Sequence, residues 1–253
     1  MIFYFSATGN CKYTAIRIAE RLNDQTQSIP EWLEQGETLY IPGEGEKIGI
    51  VTPTYSWRLP EIVERFLNAL CLPEGDQSYV YIVSTYGTTP GITAEMAKSI
   101  LADQKIRLSA AFSVRMPDTW TPVFDLSNPE KVAAQNAKAE TEIDAVIARI
   151  AAGDTGNHQK MRLPNFVMPM TTPAYERMRK TSHFRLDDSC IGCGLCARKC
   201  PAQAIGMREK RPVWVKDQCI MCLGCLHRCP KFAIQYENRT RTHGQYTNPN
   251  VKV

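Results

Sequence analysis

At 253 residues and 43% apolar, the chain has room for one ordinary domain and a smaller second one. No apolar run is long enough to cross a membrane. Eight of its ten cysteines fall in one segment near the C-terminus, and the chain opens on an apolar strand, not a signal peptide. A disulfide framework is therefore not expected, and the reducing cytoplasm is the expected setting.

Met1–Phe5 is a short apolar run suited to a buried strand, and the turn Ser6, Ala7, Thr8, Gly9, Asn10 and Cys11 leads from it into a helical pattern through Leu22. A strand, a hydroxyl- and glycine-bearing turn and then a helix is the geometry of an anion site, because N–H groups at a helix start point outward. The turn has no Lys, no Walker spacing and no G-x-G-x-x-G, so it suits a phosphate held by neutral hydroxyls and amides. Lys47–Val51 reads as a strand followed by a loop carrying Pro53, Thr54, Tyr55, Ser56 and Trp57, then a helix over Glu61–Leu70. Tyr79–Ser84 is the next strand. A loop with Thr85, Tyr86, Gly87 and Thr88 and a helix through Leu101 follow it. Leu108–Arg115 is the last strand, followed by a loop with Met116, Asp118 and Trp120 and a long helix from about Asn128 to Ala151. Thr38–Ile41 is the expected source of the remaining strand. Alternating strands and helices predict a parallel sheet covered on both faces, with its ligand beyond the carboxyl ends of the strands. Tyr55, Trp57, Tyr86 and Trp120 sit there as stacking surfaces for a flat heterocycle.

Residues 156–185, with Pro164, Pro169 and Pro173 and a basic stretch from Arg177 to Arg185, read as an inter-domain linker or a docking patch for an acidic carrier. Then come two copies of one signature, 29 residues apart. The first places Cys190, Cys193, Cys196 and Cys200 before Pro201, and the second places Cys219, Cys222, Cys225 and Cys229 before Pro230. Both read C-x2-C-x2-C-x3-C-P, the run that holds a [4Fe–4S] cluster. Three thiolates lie on one tight loop, and the fourth is expected to open a short helix. A zinc site would use two C-x2-C pairs and leave the third cysteine and the proline without a role. Residues 186–237 hold eight Lys/Arg against five Asp/Glu. Each oxidised cluster with its thiolates carries a net charge of about −2, so this surplus offsets the clusters and no nucleic-acid partner is expected. Cys11 and Cys71 are read as small buried residues, His227 as a surface residue near a cluster, and 238–253 as a loose end or a strap.

The Ser6–Cys11 turn is similar to the flavodoxin phosphate loop, (S/T)-x-T-G-x-T. Pro53–Trp57 resembles that family's second flavin-contacting loop, and Tyr86-Gly87 stands in the place of its third. With the cysteine repeat, nearly the whole chain resembles the EFR-type ferrodoxins of anaerobic bacteria, in which a flavodoxin-like domain is fused to a two-cluster ferredoxin. The resemblance implies FMN on a doubly wound five-stranded sheet of order 2-1-3-4-5, a small α+β ferredoxin-like domain with two [4Fe–4S] clusters, and low-potential electron transfer with a redox partner protein. It places the FMN domain at 1–155, the linker at 156–185, the cluster domain at 186–237 and the tail at 238–253. In two-cluster ferredoxins the fourth cysteine of each run serves the other cluster, which groups Cys190, Cys193, Cys196 and Cys229, and Cys219, Cys222, Cys225 and Cys200. Cys11 departs from the family's Thr or Ser. Three classes follow: a carrier, an enzyme reducing a small substrate at its flavin with Asp118 as the one acidic candidate, or a zinc-binding interaction module.

Overall fold

The computed structural model describes residues 1–160 and 168–253, with the side chains of 168–171 left aside. Pro164 of the expected linker lies outside the described residues, as do the side chains at positions 169 and 170.

Six strands form one parallel sheet in the order β2-β1-β3-β4-β5-β6. They are β1 (Ile2–Tyr4), β2 (Thr26–Ser28), β3 (Lys47–Pro53), β4 (Tyr79–Tyr86), β5 (Leu108–Arg115) and β6 (Gly156–Asn157). β3 and β4 are buried nearly throughout, because helices cover both faces; their runs therefore show no alternation of apolar and polar residues. On one face Ile2, Val51, Val83 and Phe112 pack with Ile18 of α1 (Asn10–Leu22) and with Ile143 and Ile147 of α5 (Pro129–Ala152). On the other, Phe3, Ile50 and Ile82 pack with Trp32 of α2 (Ile29–Gln35), Phe66 of α3 (Glu61–Ala69) and Met96 of α4 (Thr93–Asp103). α5 starts where the Asn128 side chain accepts the Lys131 N–H at 2.9 Å with Pro129 in the first turn, and it ends at left-handed Gly153.

The sheet therefore has six strands where five were expected. The added member is two residues long and pairs only with β5, too short to leave a period-2 signal. The strand sought at Thr38–Ile41 is instead Thr26–Ser28, which aligns directly with β1; Leu39 makes only an isolated bridge to Cys71. Cys71 itself is exposed, not buried filler.

The second domain pairs β7 (Phe184–Leu186) with β10 (Ile234–Tyr236) and β8 (Ile205–Arg208) with β9 (Arg211–Trp214), both antiparallel. Its core holds Leu223, Leu226, Ile234 and Tyr236, joined by Phe184 and Trp214. The short helices α7 (Leu195–Arg198) and α8 (Gly224–His227) carry the third cysteine of each motif and stop ahead of the fourth. The expectation that the fourth cysteine opens a helix is corrected by its neighbour, since proline disfavours helical backbone at the residue before it.

The 156–185 stretch is not a free linker where it is described. Gly156–Asn157 is β6, and Pro173 lies inside α6 (Met168–Met178). Arg179 pairs with Glu61 at the start of α3 and with Glu176, and its Nε donates to the Cys219 carbonyl at 2.8 Å. Thr181 N–H donates to the Asp217 carbonyl at 2.9 Å. Ile220, Ala202 and Cys222 pack against the sheet domain's own core, so the two domains share apolar surface.

Candidate functional site

The carboxyl ends of β1, β3, β4 and β5 open on a cavity of about 340 Å³. Of the residues expected at the flavin, Ser6, Ala7, Thr8, Asn10, Cys11, Pro53, Thr54, Tyr55, Ser56, Trp57, Thr85, Tyr86, Gly87, Thr88, Asp118 and Trp120 all line it. Gly9 alone does not; it sits at the start of α1 with φ 101, and a Cβ there would lie 2.9 Å from Cβ of Asn248. The Ser6 hydroxyl accepts the Gly9 N–H at 3.1 Å, and no acidic side chain occupies the first turn of α1. The helix start thus remains favourable to an anion. Thr54 Oγ1 is buried and without a hydrogen-bond partner, which suits a polar ligand group reaching it.

Burial shifts several titratable groups in the cavity, Asp118 and Cys11 among them. Burial pushes the Asp118 carboxyl up to about 6, although it accepts the Trp120 N–H at 3.0 Å. That carboxyl presses directly on Gly87. Burial pushes the Cys11 thiol up to about 12, and its Sγ lies 3.1 Å from Thr85 Oγ1, so it is a neutral packing group.

The far wall of the same cavity comes from the second domain: Met221, Cys222 and Leu223, with Ala174 and Met178 of α6. Sequence carried a signal for this that composition hides. Where the first motif has Gly192 and Gly194, the second has Met221 and Leu223, and all four are left-handed, with φ of 69, 72, 60 and 51. Such a conformation costs a side-chain-bearing residue roughly 1–2 kcal/mol. The second loop accepts that cost in order to place two apolar side chains on the cavity. Trp120 has a double position: it lines the cavity and also packs edge-on against Tyr236, with centroids 5.1 Å apart.

Behind that wall the cysteines surround two further cavities. Cys190, Cys193, Cys196 and Cys229 line one, whose wall Cys225 also touches. Cys200, Cys219, Cys222 and Cys225 line the other. Among the described residues no three Cys, His, Asp or Glu gather closely enough to hold a single ion. Backbone N–H groups of Ala204, Met221 and Ala233 point at the sulfurs of Cys200, Cys219 and Cys229, each at 3.3 Å. Burial pushes the Cys219 thiol up to about 12 and that of Cys222 up to about 11.

His227 is buried, not at the surface. Its Nδ1 accepts the Tyr246 N–H at 3.2 Å, so its Nε2 carries the proton and donates to the Thr119 carbonyl at 2.9 Å. Burial draws its pKa down to about 4, which keeps the ring neutral. The tail is a strap. Gln245 donates to the Leu226 and Cys229 carbonyls at 2.7 and 2.8 Å, while Asn248 N–H donates to the Thr8 carbonyl at 2.7 Å and its side chain to Asn10 Oδ1 at 3.1 Å. Polar, aperiodic sequence gave no sign of these contacts.

A doubly wound sheet with a cavity at its carboxyl edge, joined to two cysteine-lined cavities, defines a flavin- and iron–sulfur-dependent redox protein. The comparisons agree. Residues 1–144 match the model of the flavodoxin domain family, and the chain belongs to that family; residues 183–230 match the 4Fe-4S dicluster domain. No curated protein matches. Solved structures similar to this chain include rubredoxin oxygen:oxidoreductase from Desulfovibrio gigas, 13% identical over 59% of this chain and 36% of that one, at a TM-score of 0.33. The Flv1 flavodiiron core from Synechocystis sp. PCC6803 is 12% identical over 59% and 36%, at 0.32, and a flavone reductase is 11% identical over 62% and 66%, at 0.33. The chain thus spans little more than a third of the first two proteins. No helix among the described residues is long and apolar enough to cross a membrane.

Proposed function

We propose that this protein is an electron-transfer protein of the EFR-type ferrodoxin kind, which binds one FMN and two [4Fe–4S] clusters and passes low-potential electrons to or from a partner protein. The division is an FMN domain over 1–155 and a cluster domain over 186–237. The observation that carries the reading is Cys222, which lines the flavin cavity and the second cysteine cavity at once. Cys225 in turn lines both cysteine cavities. A continuous line of thiols therefore runs from the cavity at the sheet edge to the first motif.

When bound, the clusters move one electron at a time and the flavin takes one or two. The chain's own residues supply the holding. Ser6, Thr8 and the N–H groups at the start of α1 would hold a phosphate, Tyr55, Trp57 and Tyr86 would flank a planar ring, and Met221 and Leu223 would keep water from the thiols behind them. The crossed sets are Cys190, Cys193, Cys196 with Cys229, and Cys219, Cys222, Cys225 with Cys200.

The test is anaerobic purification with iron, sulfide and flavin assay, followed by flash one-electron reduction at several protein concentrations. Eight irons, one FMN and an exchange rate independent of concentration are expected; bound zinc, or rates that scale with concentration, would sink the reading. A second reading, direct reduction of a small acceptor at the flavin, is favoured by the Asp118 carboxyl inside the cavity, raised to about 6 and so able to give up a proton near neutral pH. Turnover of a small acceptor that fell at least tenfold in Asp118→Asn, with flavin content unchanged, would support it.

A further inference from the structure

The line of thiols has two ends. One is covered, because Cys222 faces the cavity between the domains. The other is open. Cys193 is exposed, Ile191 beside it is 59% exposed, and Met207 of β8, which lines the same cysteine cavity, is 37% exposed. The loop bearing Cys193 has glycines at 192 and 194, where its counterpart carries Met221 and Leu223, so no side chain from those positions stands between the thiol and an approaching surface. Exposed cations surround this small apolar centre: Arg198, Arg208, Lys210 and Lys231. Arg198 also donates to the Cys193 carbonyl at 2.9 Å, which fixes a positive charge at the loop. Of the nearby acids, Asp188 is paired with Arg211 at 3.5 Å and Asp187 with Arg241, and the exposed Glu209, between Arg208 and Lys210, leaves the cations there in excess. Unlike the basic stretch at 177–185, whose Arg179 is committed to Glu61 and Glu176, these cations form no ion pair among the described residues.

Resting on the relay reading above, we propose that the face formed by Ile191, Met207, Arg198, Arg208 and Lys210 is the docking surface for an acidic one-electron iron–sulfur carrier protein, and that electrons enter or leave the molecule through the first cysteine motif. A compact apolar centre within a charged rim is the anatomy of a small transient interface, and redox contacts belong to the smallest class. Opposite charge then sets the encounter rate more than the affinity. A nucleic acid would meet the cations but has no electron to exchange and no use for Ile191 and Met207.

The test uses the holoprotein and a reduced acidic [2Fe–2S] ferredoxin as probe. Freeze-quench EPR distinguishes the donor's signal from those of the receiving [4Fe–4S] clusters, so electron entry is read without reference to the flavin. At low ionic strength, Arg208→Glu combined with Lys210→Glu is expected to lower the second-order rate constant at least about tenfold, and the difference should vanish near 0.5 M salt, where screening lengths fall to a few ångströms. Lys98→Glu with Arg107→Glu, exposed at the opposite end of the sheet, serves as the control and keeps the wild-type rate. Ile191→Ala, at a side chain 59% exposed, should slow entry several-fold while leaving the salt dependence and the iron content intact. Iron content and cluster reduction by photoreduced deazariboflavin verify that each variant is loaded. A wild-type rate in the double charge variant, or an equal loss in the control, would overturn the proposal. Clusters that fill while the flavin stays oxidised would instead overturn the relay and leave the docking surface standing.

Discussion

Asp118→Asn isolates one electrostatic cost of the cavity. The carboxyl's ordinary value is 3.8 and burial raises it to about 6, so the folded protein binds its proton more tightly than the unfolded chain does. Such a group contributes stability that is fully present below 3.8 and is lost as pH rises through 6. Moving a carboxyl from 3.8 to about 6 corresponds to about 3 kcal/mol at neutral pH. Asparagine keeps the acceptor for the Trp120 N–H and nearly the same shape against Gly87, yet never ionises. The variant is therefore expected to gain on the wild type progressively, by about 1 kcal/mol at pH 4.5 and about 3 kcal/mol at pH 7. Urea unfolding followed by the far-ultraviolet dichroism of the sheet domain, at half-unit pH intervals under anaerobic conditions, measures the difference between the two proteins. Any fixed offset from the amide cancels in the slope. A difference that stays flat from pH 4.5 to 7 would refute the reasoning, since Asp118 would then titrate alike in the folded and unfolded states.

Four further variants have expected outcomes. Cys200→Ala should disturb the cluster held by the second loop and leave that of its own loop intact, as read by EPR of the reduced protein; loss of its own loop's signal would mean the sets are not crossed. Thr8→Ala should weaken FMN by about 1–3 kcal/mol, the range for a hydrogen bond to a charged group, whereas Cys11→Thr should leave flavin binding equal or tighter in a fluorescence titration. Met221→Gly should relieve roughly 1 kcal/mol of left-handed strain but lose the packing of a buried side chain, which costs about 2–5 kcal/mol, so thermal stability falls as water enters the cavity and the flavin potential shifts; an unchanged potential would remove Met221 from the insulating wall.

The sheet domain was legible because its signals are local. Lys47–Val51 and Leu108–Arg115 announce buried strands by mostly apolar runs, and the turns after them carry the cavity's residues at fixed offsets from the strand ends. The eight cysteines were legible because ligand spacing is itself a local constraint. What sequence did not carry was anything decided at a distance. β6 is two residues held by β5, and Arg179 gains its meaning from Glu61, far away in the chain. His227 looked like a surface residue because its partners, Thr119 and Tyr246, come from elsewhere in the chain. The exception is the exchange of Gly192 and Gly194 for Met221 and Leu223, which is visible in the aligned repeat and tells which loop faces inward.

The strap has a consequence for how the molecule is put together. Residues 245–248 bond on one side to the helix of the second cysteine motif and on the other to the turn at Thr8 and Asn10. They follow both in the chain, so on a ribosome the sheet domain emerges with its turn still uncovered. The turn is fastened only once the second motif has taken the shape that offers the Leu226 and Cys229 carbonyls. Folding thereby acquires an order, with both domains formed before the turn at Thr8 and Asn10 is latched by the last residues of the chain to be made.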